Sequence, residues 1–241
     1  MTYTFTYDYE NHLTAVSGDS VSASFVYDAD GNRVKGTVNG TTTVYIAGLY
    51  EYQGGATTLY YEGNALRRTG YAGDNGVFYL LQDQLKSSST LANQNGTVNS
   101  RNYFYPFGGN RGGAAFSALT TKRFTGQYHE QSLPGGEGLS YYEARWYDAQ
   151  LGRFTGPDTI VPEPRNLQAF NRYSYANNNP VRYLDPTGHV ANCFCTMQQD
   201  PGGGTTASAT TVGSWWTPVS DFFYGGLSQW GYNNSGVAPA Y

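Results

Sequence analysis

Along the first hundred residues polar and apolar positions alternate in short runs. Thr43-Val44-Tyr45-Ile46 and Thr58-Leu59-Tyr60-Tyr61 are clear examples, and Gly-Gly, Gly-Asn or Asn-Gly pairs punctuate the runs. A period of two over four to eight residues is the pattern of a half-buried strand, and such glycine and asparagine pairs suit the turns of hairpins. The same rhythm continues through "TTVYIAGLYEYQGG", "TTLYYEGNALRRTG", "GVFYLLQDQLKSSSTLANQNGTV" and "RNYFYPFGGNR". The pattern predicts a long antiparallel ribbon of consecutive hairpins.

Within it lies a repeat. "YDYENHLTAV" at Tyr7 returns 20 residues later as "YDADGNRVKG" at Tyr27, pairing Tyr7 with Tyr27, Asp8 with Asp28, Asn11 with Gly31, His12 with Asn32 and Leu13 with Arg33. A lone hairpin cannot bury its apolar face, so repeated hairpins are expected to stack and share a core. The Tyr heading each unit suits that layer, with its ring packed and its hydroxyl free to reach a partner.

Composition sharpens this picture. Only 13% of the residues are charged, while Tyr contributes 23 and Gly 31 of 241. Aromatic side chains fit a pleated surface and Gly supplies turns, which points to an all-β protein and away from helical architectures. A formal net charge of −4, with Lys35, Lys86 and Lys122 as the only lysines, gives no footprint for a phosphate backbone, so no nucleic-acid partner is expected. "MTYTFTYDYE" lacks the features of a signal peptide and no stretch is apolar enough for a membrane span, so an export signal is expected upstream or in another system. Cys193 and Cys195 form a lone C-x-C, and His12, His129 and His189 are scattered, so no metal or cofactor is expected.

The repeats resemble the YD repeats of rearrangement-hotspot (Rhs) proteins, of the C components of insecticidal toxin complexes and of teneurins. Asp83-Gln84-Leu85-Lys86-Ser87 is similar to that family's Asp-His-Leu-Gly-Ser element, with His and Gly replaced. "RFTGQYHEQ…GLSYYEARWYDAQLGRFTGPD" (123–158) and "NRYSYANNNPVRYLDPTGH" (171–189) resemble the Rhs-associated core. The resemblance covers roughly residues 1 to 189. It implies YD hairpins stacked in a spiral, shell-like antiparallel sheet over 1–120, capped by a turn-rich core over 121–189 and followed by a variable tail over 190–241. It also implies an activity, since many members cut their own chain just after Asp-Pro-x-Gly-x. The scissile bond here would be His189-Val190. The chain departs from the family at Thr159, where many relatives have Pro, and at His189, where an apolar residue is usual.

Cutting a peptide bond at a fixed site without a metal or a Ser or Cys nucleophile calls for two carboxyls in different protonation states. Asp158, after "GRFTGP", is the first candidate. Glu137, Asp148 and Asp185 are candidates for its partner, and Arg145 and Arg153 for a guanidinium that orients a carboxylate. Structural roles compete with these. Asp148 can cap a turn, Asp185-Pro186-Thr187-Gly188 has the form of a β-turn, and Asn177-Asn178-Asn179-Pro180 suits a loop with left-handed backbone.

From Val190 onward a Gly/Ser/Thr-rich linker precedes "WWTPVSDFFYGGLSQWGY", a tail without His, Lys or Arg. Hydrolytic toxin chemistry has few tools there, whereas Trp215, Trp216, Phe222, Phe223 and Trp230 are apolar anchors for a partner surface. Three readings follow: a secreted or cell-surface shell that encloses or presents its C-terminal segment, a one-time aspartyl autoprotease acting in cis, and a subunit of a tube or fibre. Partners are then the chain's own tail, upstream YD repeats or, in the third reading, further copies in a homo-oligomer or polymer.

Overall fold

The computed structural model describes residues 2–18, 20–61, 64–112, 116–160 and 167–193. Eleven strands follow one another in sequence: β1 Tyr3–Tyr7, β2 Leu13–Gly18, β3 Val21–Tyr27, β4 Arg33–Val38, β5 Thr41–Ile46, β6 Tyr50–Gln53, β7 Ala56–Tyr61, β8 Ala65–Thr69, β9 Gly76–Gln82, β10 Ser88–Asn93 and β11 Val98–Arg101. Each is antiparallel to its neighbour, and spatial order equals chain order, so the predicted ribbon of hairpins is a single 11-stranded meander. Its strands alternate as read: Val21, Ala23 and Phe25 of β3 are buried while Ser22, Ser24 and Val26 are exposed.

The two repeats use one turn. Asp8 Oδ1 accepts the backbone N–H groups of Glu10 (3.0 Å) and His12 (2.8 Å), and Asp28 Oδ1 accepts those of Asp30 (3.0 Å) and Asn32 (2.8 Å). The residue three places after each Asp takes a left-handed backbone, Asn11 at φ 67° and Gly31 at φ 81°, which these residue types tolerate. Each turn adds a register shift beside its Tyr, so that Tyr7 faces Leu13 and Tyr27 faces Arg33.

A second antiparallel sheet, β12 Tyr128–Glu130, β13 Leu139–Tyr142, β14 Arg145–Asp148 and β15 Arg153–Phe154, packs against the first. The 11-stranded sheet ends at Arg101 and this one begins at Tyr128, on either side of the division expected at residue 120. β13 and β14 are buried along their whole length, because both their faces are covered. On one side Leu139, Tyr141 and Trp146 meet Leu13, Val16 and Phe25 of the large sheet. On the other, Tyr142, Tyr147 and Phe154 pack with Phe124 and Tyr175, whose rings meet at centroid separations of 4.5 to 6.1 Å in tilted and edge-on pairs. A last pair, β16 Tyr183–Leu184 and β17 Asn192–Cys193, closes the described chain. The expected linker and aromatic tail from residue 194 onward, including Cys195, lie outside the described residues. Among the described residues no helix is long and apolar enough to cross a membrane.

Arg33 joins the two sheets. Its side chain is fully buried, its Nη1 donates to Glu130 Oε1 at 2.9 Å, and its guanidinium carbon lies 4.1 Å from the ring centre of Tyr45, 4.7 Å from Tyr141 and 5.1 Å from Trp146. Removing one partner of a buried ion pair strands the other. Arg33→Ala is therefore expected to lower stability by about 3–5 kcal/mol, read from urea unfolding. A loss no larger than that of an exposed substitution such as Lys35→Ala would show that the cage does not hold the sheets together.

His129 in β12 gives a pH test. Its Nε2 lies 2.8 Å from the Glu137 carbonyl and its Nδ1 3.0 Å from Ser140 Oγ, an arrangement that satisfies a neutral ring donating from Nε2 and accepting at Nδ1. Burial, then the nearby Arg123, push its pKa down from 6.5 to about 4. The unfolded chain binds this proton first, so the contribution of His129 is complete above about pH 6.5 and is lost as pH falls toward 4. The loss is on the order of 3 kcal/mol. Unfolding midpoints measured across that window should fall less steeply for His129→Gln, and parallel slopes would refute the assignment.

Candidate self-cleavage site

The tight β13–β14 turn, with Glu143 at φ 50°, sets Arg145 as the first residue of β14. The guanidinium stacks 3.7 Å above the Phe154 ring and reaches in several directions. Nη2 meets Asp158 Oδ2 at 2.8 Å and Asp185 Oδ2 at 3.6 Å, Nη1 donates to the Arg172 carbonyl at 2.8 Å, and Nε donates to the Gly188 carbonyl. One guanidinium nitrogen thus serves both aspartates. Burial lowers the Arg145 pKa, while Asp158 and then Asp185 pull it back up.

Asp158 is held from both sides of its chain. Its N–H donates to the Arg172 carbonyl at 2.9 Å, and Arg172 Nε returns a 2.5 Å bond to the Asp158 carbonyl. Its Oδ1 accepts the Ile160 N–H at 2.9 Å and lies 2.7 Å from His189 Nδ1. Asp185 belongs to a turn of the repeat type: its Oδ1 accepts the N–H groups of Gly188 (2.8 Å) and His189 (3.1 Å), leaving Oδ2 to face Arg145. Gly188 sits at φ 77° so close to the Tyr142 carbonyl that a Cβ would collide with it, so glycine is required here. Burial raises the Asp185 pKa most, Arg145 opposes it, and the neighbouring Asp158 adds to the rise. Glu143 is also raised, first by burial and then by Asp185.

Arg145, Asp158, Arg172 and Asp185 line a small cleft of about 40 Å³ that also touches His189, Val190 and Ala191. That is room for a few waters. The cleft therefore combines two carboxyls in different surroundings, a shared cation, space for water and the His189-Val190 bond. Among the described residues no group of three His, Cys, Asp or Glu could hold a metal ion.

The sequence candidates divide accordingly. Asp158, Asp185, Arg145, His189 and Val190 come together; Glu137, Asp148 and Arg153 do not. Glu137 Oε2 accepts the Asn110 N–H at 2.9 Å, tying an outer loop to the second sheet. Asp148 Oδ1 caps a turn through the N–H groups of Gln150 (2.9 Å) and Leu151 (3.0 Å). Arg153 pairs with Asp148 in the β14–β15 ladder and its side chain is exposed. Asn177 and Asn178, with Ala176, form the left-handed loop expected of them. Sequence reasoning missed Arg172 and Glu143, which carry no local signal, and the His189–Asp158 contact, which joins residues 31 apart.

No family model matches the chain. It is 31% identical over 206 residues to the tRNA3(Ser)-specific nuclease WapA of Bacillus spizizenii, a match covering 78% of this chain and 8% of that protein. It is 34% identical over 107 residues to toxin subunit YenC2 of Yersinia entomophaga, covering 44% of this chain and 10% of the relative. In three dimensions it is similar to the crystal structure of TcdB2-TccC3-TEV, with a TM-score of 0.63 at 20% identity over 77% of this chain and 10% of that one. The chain thus spans about a tenth or less of the proteins it matches, and the structural likeness shows the fold alone. By sequence and by its 11-stranded antiparallel sheet, the chain is related to the Rhs and YD-repeat shell proteins.

Proposed function

We propose that this chain is part of an extracellular or cell-surface Rhs-type shell that encloses or presents its C-terminal segment and cuts itself once, after His189. The observation that carries the reading is the single Arg145 nitrogen shared by Asp158 and Asp185 beside the His189-Val190 bond. In the proposed step, Asp158 takes a proton from water as the water oxygen attacks the His189 carbonyl carbon. Asp185, whose raised pKa suits an acid, gives a proton to the Val190 nitrogen as the carbon–nitrogen bond breaks. Two protons are thereby exchanged and the products are a carboxyl at His189 and an amine at Val190. Arg145 positions both carboxyls and, through Gly188, the approach to the bond. His189 must first leave Asp158 Oδ1, which it occupies at 2.7 Å. The tRNA cleavage in the name of WapA belongs to a far longer protein, and the formal net charge of −4 gives it no support here.

Intact mass under denaturing conditions tests the step. Wild type is expected to split after His189, Asp158→Asn and Asp185→Asn to remain whole, and Arg153→Gln to split like wild type. The rate should fall as pH rises through the elevated Asp185 pKa. An uncut wild-type chain across acid and neutral pH would remove the catalytic reading and leave the structural one.

A second reading is favoured by one feature. In the described residues β1 and β11 are the edge strands of the 11-stranded sheet, and edge strands can pair with another strand. Under this reading copies join into a tube or fibre. Electron microscopy of the purified chain should then show polymers whose length grows with concentration, and monodisperse particles would exclude it.

A further inference from the structure

Away from the cleavage cluster, a row of side chains crosses the buried face of the large sheet. Tyr45 pairs with Glu51, Glu51 with Thr58, and Thr58 with Arg68, so the four lie side by side on β5, β6, β7 and β8. Glu51, Thr58 and Arg68 are all more than nine-tenths buried. A cavity of about 120 Å³ opens over them, roofed by Leu119 to Thr121 and flanked by Tyr71. That is close to the roughly 150 Å³ that accommodates a benzene-sized molecule.

The two ionic groups are differently provided for. Glu51 Oε1 accepts hydrogen bonds from Tyr60 Oη (2.8 Å) and Thr121 Oγ1 (2.7 Å), leaving the carboxyl's other oxygen without an assigned donor. Arg68 has no carboxylate within ion-pair distance among the described residues, and its Nε is buried without a hydrogen-bond partner. Its guanidinium stacks on the Tyr71 ring, 3.6 Å away, which Thr58 pins through a 2.8 Å bond to the Tyr71 hydroxyl. A buried donor left without an acceptor is destabilising. The surrounding structure therefore holds a planar donor fork, stacked on Tyr71, at a polar cavity whose lining carboxyls are Glu51 and Glu130, the latter already paired with Arg33.

We infer that this cavity binds a small carboxylate carrying an amino or hydroxyl group on the adjacent carbon, with the carboxylate on Arg68 and the donor toward Glu51. A guanidinium fork matches a carboxylate in shape and charge. The adjacent donor follows from Glu51, whose second carboxyl oxygen offers an acceptor two strands away. Glycine and glycolate are ligands of this class and size. The inference is independent of self-cleavage.

The full chain is titrated with glycine, glycolate and acetate, followed by the amide signals of the β6–β8 residues and by melting temperature. Glycine or glycolate is expected to bind saturably and raise the melting temperature, with acetate at least ~10-fold weaker, the effect of losing one charge-assisted hydrogen bond. Glycine binding alone identifies the amino form of the ligand and glycolate alone the hydroxy form. Arg68→Met should fold with equal or greater stability in the absence of ligand and lose binding at least ~10-fold. Should that variant fail to fold, Arg68→Lys, which keeps the charge but not the fork, is expected to show the same loss. No saturable binding in the millimolar range, equal binding of acetate, or undiminished binding by the Arg68 variant would each overturn the inference.

Discussion

A buried guanidinium holds this architecture together. Arg33 stands at the start of β4, directly after the second Tyr-Asp turn, and its charge lies among Phe25, Tyr45, Tyr128, Tyr141 and Trp146 with Glu130 as its carboxylate. Its Nε and Nη2 find no oxygen, so the ring faces supply the contact that hydrogen bonds do not. Rings from both sheets and an ion from each meet at this point. Register is consequently fixed on both sides, since a slip of one residue would turn Arg33 to the outer face and leave Glu130 without its cation. The turn before it controls that placement. Asp28 and Gly31 close the loop, Tyr27 faces Arg33 across the ladder, and the Tyr27 hydroxyl reaches back to the Leu13 carbonyl at 2.7 Å while receiving Trp146 Nε1 at 3.3 Å.

The same turn recurs where the chain needs a different result. Asp83 accepts the N–H groups of Leu85 and Ser87, both at 2.9 Å, with Lys86 at φ 65° in the left-handed place. At Asp185 the pattern returns with Gly188 in that place, although Pro186 intervenes and the first N–H bonded is now three residues on. In Asp8 and Asp28 the carboxylate sits at a surface turn. In Asp185 it is buried, so the oxygen not used by the turn meets Arg145. A structural motif and a candidate acid are the same residue, and the two roles engage different oxygens.

This explains what could be read from the chain and what could not. The strands, their hairpin order and the turn carboxylates are local properties, written in period-two alternation and in Asp, Asn and Gly spacing. The selection of Arg145 over Arg153 is not local. Eight residues apart, both arginines begin strands beside aromatic residues. Only the β14–β15 register, which sends Arg153 outward, and the packing of Tyr175 and Phe154 under β14 decide which guanidinium reaches the aspartates. Glu137 failed to join them for a similar reason, because the outer loop around Asn110 claims its carboxylate. Arg68 reads in the sequence as an ordinary strand residue, and the Tyr71 ring stacked on its guanidinium is a contact the strand pattern does not reveal.

The residues around His189-Val190 also bear on what a cut would release. Before the bond, Gly188 is fastened by Arg145 and Asp185, and His189 by Asp185 and Asp158. After it, the chain is held to β16 by the two-residue pairing of Asn192 and Cys193 with Leu184 and Tyr183. So short a ladder is marginal by itself. The upstream side is therefore anchored by charge-assisted contacts in a buried cluster, and the downstream side by a pair of backbone rungs. Under the cleavage reading this asymmetry favours a new carboxyl terminus that stays in the site and a downstream segment whose retention depends on contacts beyond β17.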